Sequence, residues 1–139
     1  HLLKSKRINL KKNKFLKNEL IRPTKIYTKE VLKLLDKDLI NGCANITGGG
    51  LADNLKRIIP EKLCANINLD KIVSLKIFQW LKNNNIKDKE MLKTFNCGIG
   101  MIIVINKNDL AATISKCKIL RQPVKLIGKI TDQNLIKFY

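Results

Sequence analysis

A mixed α+β fold, with α/β-type layering of a mixed sheet against helices, is predicted by three observations. Apolar residues at helical spacing alternate along the chain with short apolar runs. Glycines gather at two junctions between strands and helices. The 139 residues, 45 % hydrophobic, suffice for one domain with a real core and do not fit intrinsic disorder.

Residues 1–22 are the least regular stretch, and residues 1–19 read as a remnant of an earlier element. Leu2, Leu3, Ile8, Leu10, Phe15 and Leu16 are broken up there by Lys and Asn. Arg22-Pro23-Thr24 then interrupts the chain, because a residue before proline avoids the helical region. Thr28 is a candidate N-cap for a helix carrying Val31, Leu32, Leu34 and Leu35 to about Asp38. Residues 39–47 read as a strand, followed by Gly48-Gly49-Gly50. Leu51, Leu55, Ile58 and Ile59 then keep helical spacing up to Pro60.

Residues 64–68 read as a second strand. Asp70 or Ser74 caps a helix holding Ile77, Phe78, Trp80 and Leu81, which ends in Asn83-Asn84-Asn85. Residues 88–94 form a short helix. Residues 100–106 form the most apolar strand. Asn108 or Asp109 caps a helix to about Lys118. Residues 124–130 are a strand, and residues 135–139 offer another. No domain boundary, repeat or low-complexity linker interrupts residues 1–139, which read as a single domain.

The 28 Lys+Arg outnumber 11 Asp+Glu and give a formal net charge of +17. Such a charge invites a nucleic-acid partner. Its make-up argues against a specific one: 24 of the cations are Lys and only 4 are Arg, the residue with the bidentate fork for phosphate and guanine. Lys, Ile and Asn together make 59 of 139 residues, as drift toward AT-rich codons would produce. Aromatics for base stacking make up only 5 %. The longest apolar run, residues 101–105, is far short of the roughly 20 needed to span a membrane. With no signal-type segment, a cytoplasmic location without a membrane partner is expected.

Cys43, Cys64, Cys97 and Cys117 show no paired metal-ligand spacing, and His1 is the only histidine, so no metal site is expected. Cys43, Cys64 and Cys117 read as small core side chains.

Two glycine-bearing loops carry chemistry. In Ile46-Thr47-Gly48-Gly49-Gly50-Leu51, glycines that tolerate positive φ can turn successive N–H groups toward one anion, beside the positive end of the next helix. A tight strand–helix turn without ligand is the plainer alternative. No Gly-Lys-Ser/Thr or G-x-G-x-x-G follows, so nucleoside-triphosphate P-loops and dinucleotide folds are not indicated. In the second loop, Asn96-Cys97-Gly98-Ile99-Gly100, glycines allow close backbone approach and Asn96 supplies a donor and an acceptor. There the alternative is a helix C-cap followed by a bulge.

Three segments resemble a known family. Ala44-Asn45-Ile46-Thr47-Gly48-Gly49-Gly50-Leu51-Ala52-Asp53-Asn54-Leu55-Lys56-Arg57-Ile58-Ile59-Pro60 is similar to A-H-[IL]-T-G-G-G-[LF]-x-[DE]-N-[IL]-x-R-[VI]-[LI]-P. Glu90-Met91-Leu92-Lys93-Thr94-Phe95-Asn96-Cys97-Gly98-Ile99-Gly100-Met101 is similar to E-M-x-R-T-F-N-x-G-[IV]-G-M. Leu20-Ile21-Arg22-Pro23-Thr24-Lys25-Ile26-Tyr27 is similar to L-L-x-P-T-[RK]-I-Y. These patterns belong to the C-terminal domain of the aminoimidazole ribonucleotide (AIR) synthetase, or phosphoribosylformylglycinamidine cyclo-ligase, family. The resemblance covers about residues 20–130. Two positions depart from it: Asn45 replaces a histidine and Lys93 an arginine.

The resemblance implies a purine-biosynthesis ligase that converts formylglycinamidine ribonucleotide, with ATP and Mg2+, to aminoimidazole ribonucleotide, ADP and phosphate. It implies that Thr47, Gly48, Gly49, Gly50, Asn54, Asn96, Gly98 and Gly100 line the substrate or phosphate site, with no catalytic residue assigned. It further implies an N-terminal domain that holds most of the ATP and Mg2+ and makes a homodimer. The chain begins at His1 rather than Met, so a fragment, a processed product or one half of a split enzyme is expected. Such a piece is expected to be inactive alone, with apolar surface exposed around Leu2, Leu3, Ile8 and residues 95–101. The alternatives are a related two-domain ATP-using synthetase, such as the preceding purine amidotransferase, selenophosphate synthetase or a hydrogenase-maturation protein, and a basic RNA-binding domain.

Overall fold

The computed structural model describes residues 2–72, 75–132 and 137–139. The described elements are, in chain order, α1 (Leu2–Ser5), α2 (Lys14–Leu20), α3 (Thr28–Leu35), β1 (Gly42–Asn45), α4 (Gly50–Lys56), β2 (Cys64–Ile67), α5 (Lys76–Asn83), α6 (Asp88–Thr94), β3 (Met101–Val104), α7 (Leu110–Ile119), β4 (Gly128–Thr131) and β5 (Lys137–Phe138). Short 3-10 turns cover Leu69–Lys71 and Lys107–Asp109. The expected α+β mixture is present, but the strands form two small sheets rather than one. β1 and β3 make an antiparallel ribbon, with Asn45 opposite Met101 and Gly42 opposite Val104. In the other sheet β2 lies between antiparallel β4 and parallel β5.

One apolar cluster joins both sheets. Ala44, Ile46 and Ile102 enter it from the ribbon, Ala65 and Ile67 from β2, and Leu51, Leu55, Phe78 and Met91 from α4, α5 and α6. Along the β1 line burial alternates: Ala44 and Ile46 face the core while Asn45 and Thr47 face away. On the chain's other flank α3 packs against α7.

Several expected boundaries shift. The caps predicted at Thr28 and Asp109 hold no side-chain bond, because α3 is preceded by Tyr27 and α7 follows directly from a 3-10 turn. That turn is instead closed by the Asn106 carboxamide accepting from the Asn108 N–H at 2.9 Å. Asp70 sits in the earlier 3-10 turn, α5 begins after Leu75, and Ser74 lies outside the described residues. The strand expected over residues 124–130 starts later, as β4 (Gly128–Thr131), and of the one expected over residues 135–139 only β5 is described, residues 135 and 136 lying outside the described residues. Residues 1–22, expected to be irregular, contain α1 and α2, the latter capped by Asn13 Oδ1 accepting from the Leu16 N–H. Leu16 is fully buried, which anchors that segment. The exposed apolar surface also differs from expectation. Leu2, Leu3, Ile8 and Phe95 are partly covered, whereas Ile21, Ile26 and Ile119 are at least 71 % exposed.

Cys64, Cys97 and Cys117 are buried and Cys43 is half-buried. Burial raises the Cys97 thiol pKa, helped by the charge of Asp88, and burial alone raises that of Cys117. A raised acid pKa means the folded state holds its proton where the unfolded chain has lost it. Stability from these thiols is therefore complete below the unfolded value, roughly pH 8.5, and declines as pH rises above it. Denaturant midpoints measured from pH 7 to 10.5 should fall on the alkaline side. In native protein, Cys43 should react with a maleimide well before the other three; equal rates would contradict this packing.

Candidate functional site

The two glycine loops meet at one end of the β1–β3 ribbon. The Ile46 N–H donates to the Gly100 carbonyl at 2.9 Å, continuing the ladder one residue beyond Asn45 and Met101. From there Thr47 leads into the first loop. The Thr47 carbonyl accepts from the Gly50 N–H at 3.2 Å, closing a tight turn.

The three glycines are there for different reasons. Gly50 has φ +62°, and a Cβ on it would collide with the Leu92 carbonyl near the end of α6. Gly49 has φ +90° and precedes α4; a Cβ there would lie 3.1 Å from the Asp53 side chain. Gly48 needs neither a special φ nor space: a Cβ on it would meet no atom of the chain within 4 Å. Fold alone therefore accounts for Gly49 and Gly50 and leaves Gly48 open.

Asn54 organises the loop from beneath. It is 4 % exposed, and its Nδ2 donates to the Gly50 carbonyl at 2.6 Å and to the Gly48 carbonyl at 3.3 Å. Two of the three glycine carbonyls are thus drawn toward the core. The N–H groups of Gly48 and Gly49 have no acceptor among the described residues. The Thr47 side chain is exposed, with no hydrogen-bond partner among those residues.

The second loop is held by its own bonds. Asn96 Oδ1 accepts from the Gly98 N–H at 3.1 Å, and the Asn96 carbonyl accepts from the Ile99 N–H at 2.8 Å. Cys97 and Gly98 both take positive φ, +50° and +92°. The Cys97 thiol points inward, 3.5 Å from the Met91 carbonyl, and Phe95 packs on Phe78 at 6.1 Å between ring centroids. Gly100 is tight for another reason: a Cβ there would collide with the Tyr27 hydroxyl. The structure thus brings Thr47, Gly48, Gly49, Gly50, Asn54 and Gly100 to one ribbon end, while Asn96 and Gly98 bond chiefly to each other.

Sequence reasoning assigned no site role to Tyr27. It lies 73 positions from Gly100, and only the tertiary fold joins them. The available signal was the break at Pro23 followed at once by Thr24-Lys25-Ile26-Tyr27. The Lys25 ammonium stands 5.5 Å over the Tyr27 ring and is hydrogen-bonded to Gln122 beyond α7.

Among the described residues no three His, Cys, Asp or Glu side chains gather as a metal cage, and no helix is long and apolar enough to cross a membrane. Removing the Gly50 constraint should be costly. Gly50→Ala combines a disfavoured φ with a backbone clash and is expected to lose about 2–5 kcal/mol, whereas Gly48→Ala should stay within about 1 kcal/mol of the parent in denaturant melts.

Comparison with known proteins identifies the family of the chain. The family described as AIR synthase related protein, C-terminal domain, matches residues 1–139. A phosphoribosylformylglycinamidine cyclo-ligase of Methylobacillus flagellatus is 41 % identical over 112 residues, which are 80 % of this chain and 32 % of that protein. The cyclo-ligase of Nitrosococcus oceani is 40 % identical over 119 residues, 85 % of this chain and 33 % of its own length. That of Neisseria gonorrhoeae is 42 % identical over 121 residues, 86 % and 35 % respectively. The chain spans about a third of the length of these curated relatives. With the family matched over its whole length, this chain belongs to the AIR synthase related protein, C-terminal domain, family.

Proposed function

We propose that this chain serves as the C-terminal domain of a cytoplasmic phosphoribosylformylglycinamidine cyclo-ligase, and that residues 47–50 hold a phosphate of its substrate or of ATP. The observation that carries the phosphate reading is the open space at Gly48 above a loop whose carbonyls Asn54 draws inward. A glycine that neither φ nor neighbours require fits a position where a ligand approaches the backbone. The N–H groups of Gly48 and Gly49, which have no acceptor among the described residues, suit an oxyanion. Relatives about 40 % identical that are cyclo-ligases favour that activity over an RNA-binding domain.

In the reaction implied by the family, phosphate from ATP activates the formyl oxygen of formylglycinamidine ribonucleotide, an amidine nitrogen attacks that carbon, and phosphate departs. Such chemistry depends on positioning and charge stabilisation more than on a protein nucleophile. The part assigned to these residues is to fix a phosphate group, with Asn54 and the Thr47 turn keeping the loop rigid. Asn96, Gly98 and Gly100 border the same end. Mg2+, when bound, would be held mainly by the N-terminal domain and the substrate phosphates and would supply charge neutralisation there. An N-terminal domain would supply most of the ATP site, exclude water from the activated intermediate and form the homodimer.

Calorimetric titration with inorganic phosphate tests the loop. Gly48→Val should weaken binding about tenfold with an unchanged melting temperature, because a Cβ at that position meets no atom within 4 Å in the free protein. Equal affinity would remove phosphate from this loop. Residues 1–139 alone should not turn over formylglycinamidine ribonucleotide, and the N-terminal two-thirds of a relative added in trans should restore turnover. Steady turnover by the 139 residues alone would refute the division of labour.

A further inference from the structure

The three most exposed large apolar side chains among the described residues are Ile26, Ile119 and Ile21, at 80 %, 73 % and 71 %. They come from distant parts of the chain but share one flank of the fold. The Lys25 ammonium donates to the Gln122 side-chain oxygen, which ties the segment after α2 to the turn after α7. All three isoleucines, with the exposed Val124 and Leu126, lie within four residues of that joined pair. Next to Ile26, a cavity of about 380 Å³ walled by Val31 and Leu32 has room for an apolar side chain from outside.

This flank is ordered before anything binds. Arg121 takes a φ of +54°, and the Gln122 N–H donates to the Cys117 carbonyl at 2.9 Å, closing the end of α7. Pro23 and Pro123 each fix a backbone angle, one in each segment. A surface held in this way loses little entropy on association. Its charge has a single sign. Arg22, Lys118, Arg121 and Lys125 are exposed in the same two segments. Neither residues 20–29 nor residues 110–131 contain Asp or Glu. The ion pair found among the described residues joins Lys82 to Asp88, so these four cations are unpaired there.

Those properties choose between occupants. A second copy of the chain would set like charges against each other. Stacked bases or a membrane interface would favour aromatic side chains. Tyr27, the one aromatic residue in either segment, is half-buried with Lys25 over its ring. Aliphatic side chains among free cations fit a protein surface with aliphatic residues at its centre and carboxylates at its rim. We propose that residues 21–26 and 119–126 together form a docking surface for an acidic amphipathic segment of another protein. The inference does not rest on the phosphate reading.

Fluorescence anisotropy with the 139-residue protein tests it. The probe is a labelled helical peptide with Leu at i, i+3, i+4 and i+7 and Glu elsewhere. It should bind at least about tenfold tighter than the same peptide with Ser for Leu. Ile26→Ser and Ile119→Ser should each weaken binding about tenfold with an unchanged melting temperature, because both side chains are exposed. Added salt should weaken binding to the parent protein more than to a Lys118→Glu, Lys125→Glu double variant. The proposal falls if the peptide does not bind, if the Ser peptide binds as tightly, or if the isoleucine variants bind unchanged. It falls too if polyuridylate, or vesicles of equal phosphatidylcholine and phosphatidylserine, bind through Ile26 and Ile119 more tightly than the peptide. If the N-terminal two-thirds of a relative displaces the peptide, the flank is an interdomain contact, and the proposal of a separate partner is overturned.

Discussion

The close approach of Gly50 to the carbonyl of Leu92 is the constraint on which the rest of the site depends. Only a residue without Cβ fits there, and its φ of +62° is one that L side chains rarely adopt. This contact seats the start of α4 on the end of α6. The α6 end leads directly into the loop that carries Asn96 and Gly98, so one contact ties the two glycine loops to the same end of the ribbon. Leu51 and Leu55, one turn apart on α4 and both essentially buried, hold that seat from the core side.

Polar and apolar forces share the loop in a definite way. Burying Asn54 would be costly unless its amide were bonded, and it is bonded to two carbonyls of the loop. Those bonds hold two loop carbonyls, while the Gly48 and Gly49 N–H groups have no acceptor among the described residues. The same division appears along β1 and the two residues after it, where Ala44 and Ile46 serve the core while Asn45 and Thr47 are exposed. A single strand thus carries the packing on one side and the proposed ligand contacts on the other.

Much of this was legible in the sequence because it is local. Helix α6 falls on residues 88–94 as its pattern predicts, and the Thr-Gly-Gly-Gly junction announces a strand–turn–helix. What was not legible is non-local. Alternating apolar runs cannot say whether strands share one sheet, and here β2 pairs with β4 and β5 while β1 pairs with β3. Nor does the run of three glycines reveal that Gly50 is required by a backbone clash, Gly49 by its φ, and Gly48 by neither. Thr28 and Asp109 have good capping chemistry, yet packing sets α3 and α7 without it. The contact between Tyr27 and Gly100 exists only once the chain is folded.

The central claim is that the loop at residues 48–50, rather than the lysine-rich surface, receives phosphate. An amide chemical-shift titration of the 139-residue protein with inorganic phosphate at near-physiological salt tests it most directly. The amides of Gly48 and Gly49 should shift saturably and together, with those at Lys4, Lys6, Lys11 and Lys12 nearly still, since exposed lysines bind anions weakly once salt screens them. Shifts confined to the lysine-rich segment, with Gly48 and Gly49 unmoved, would contradict the account.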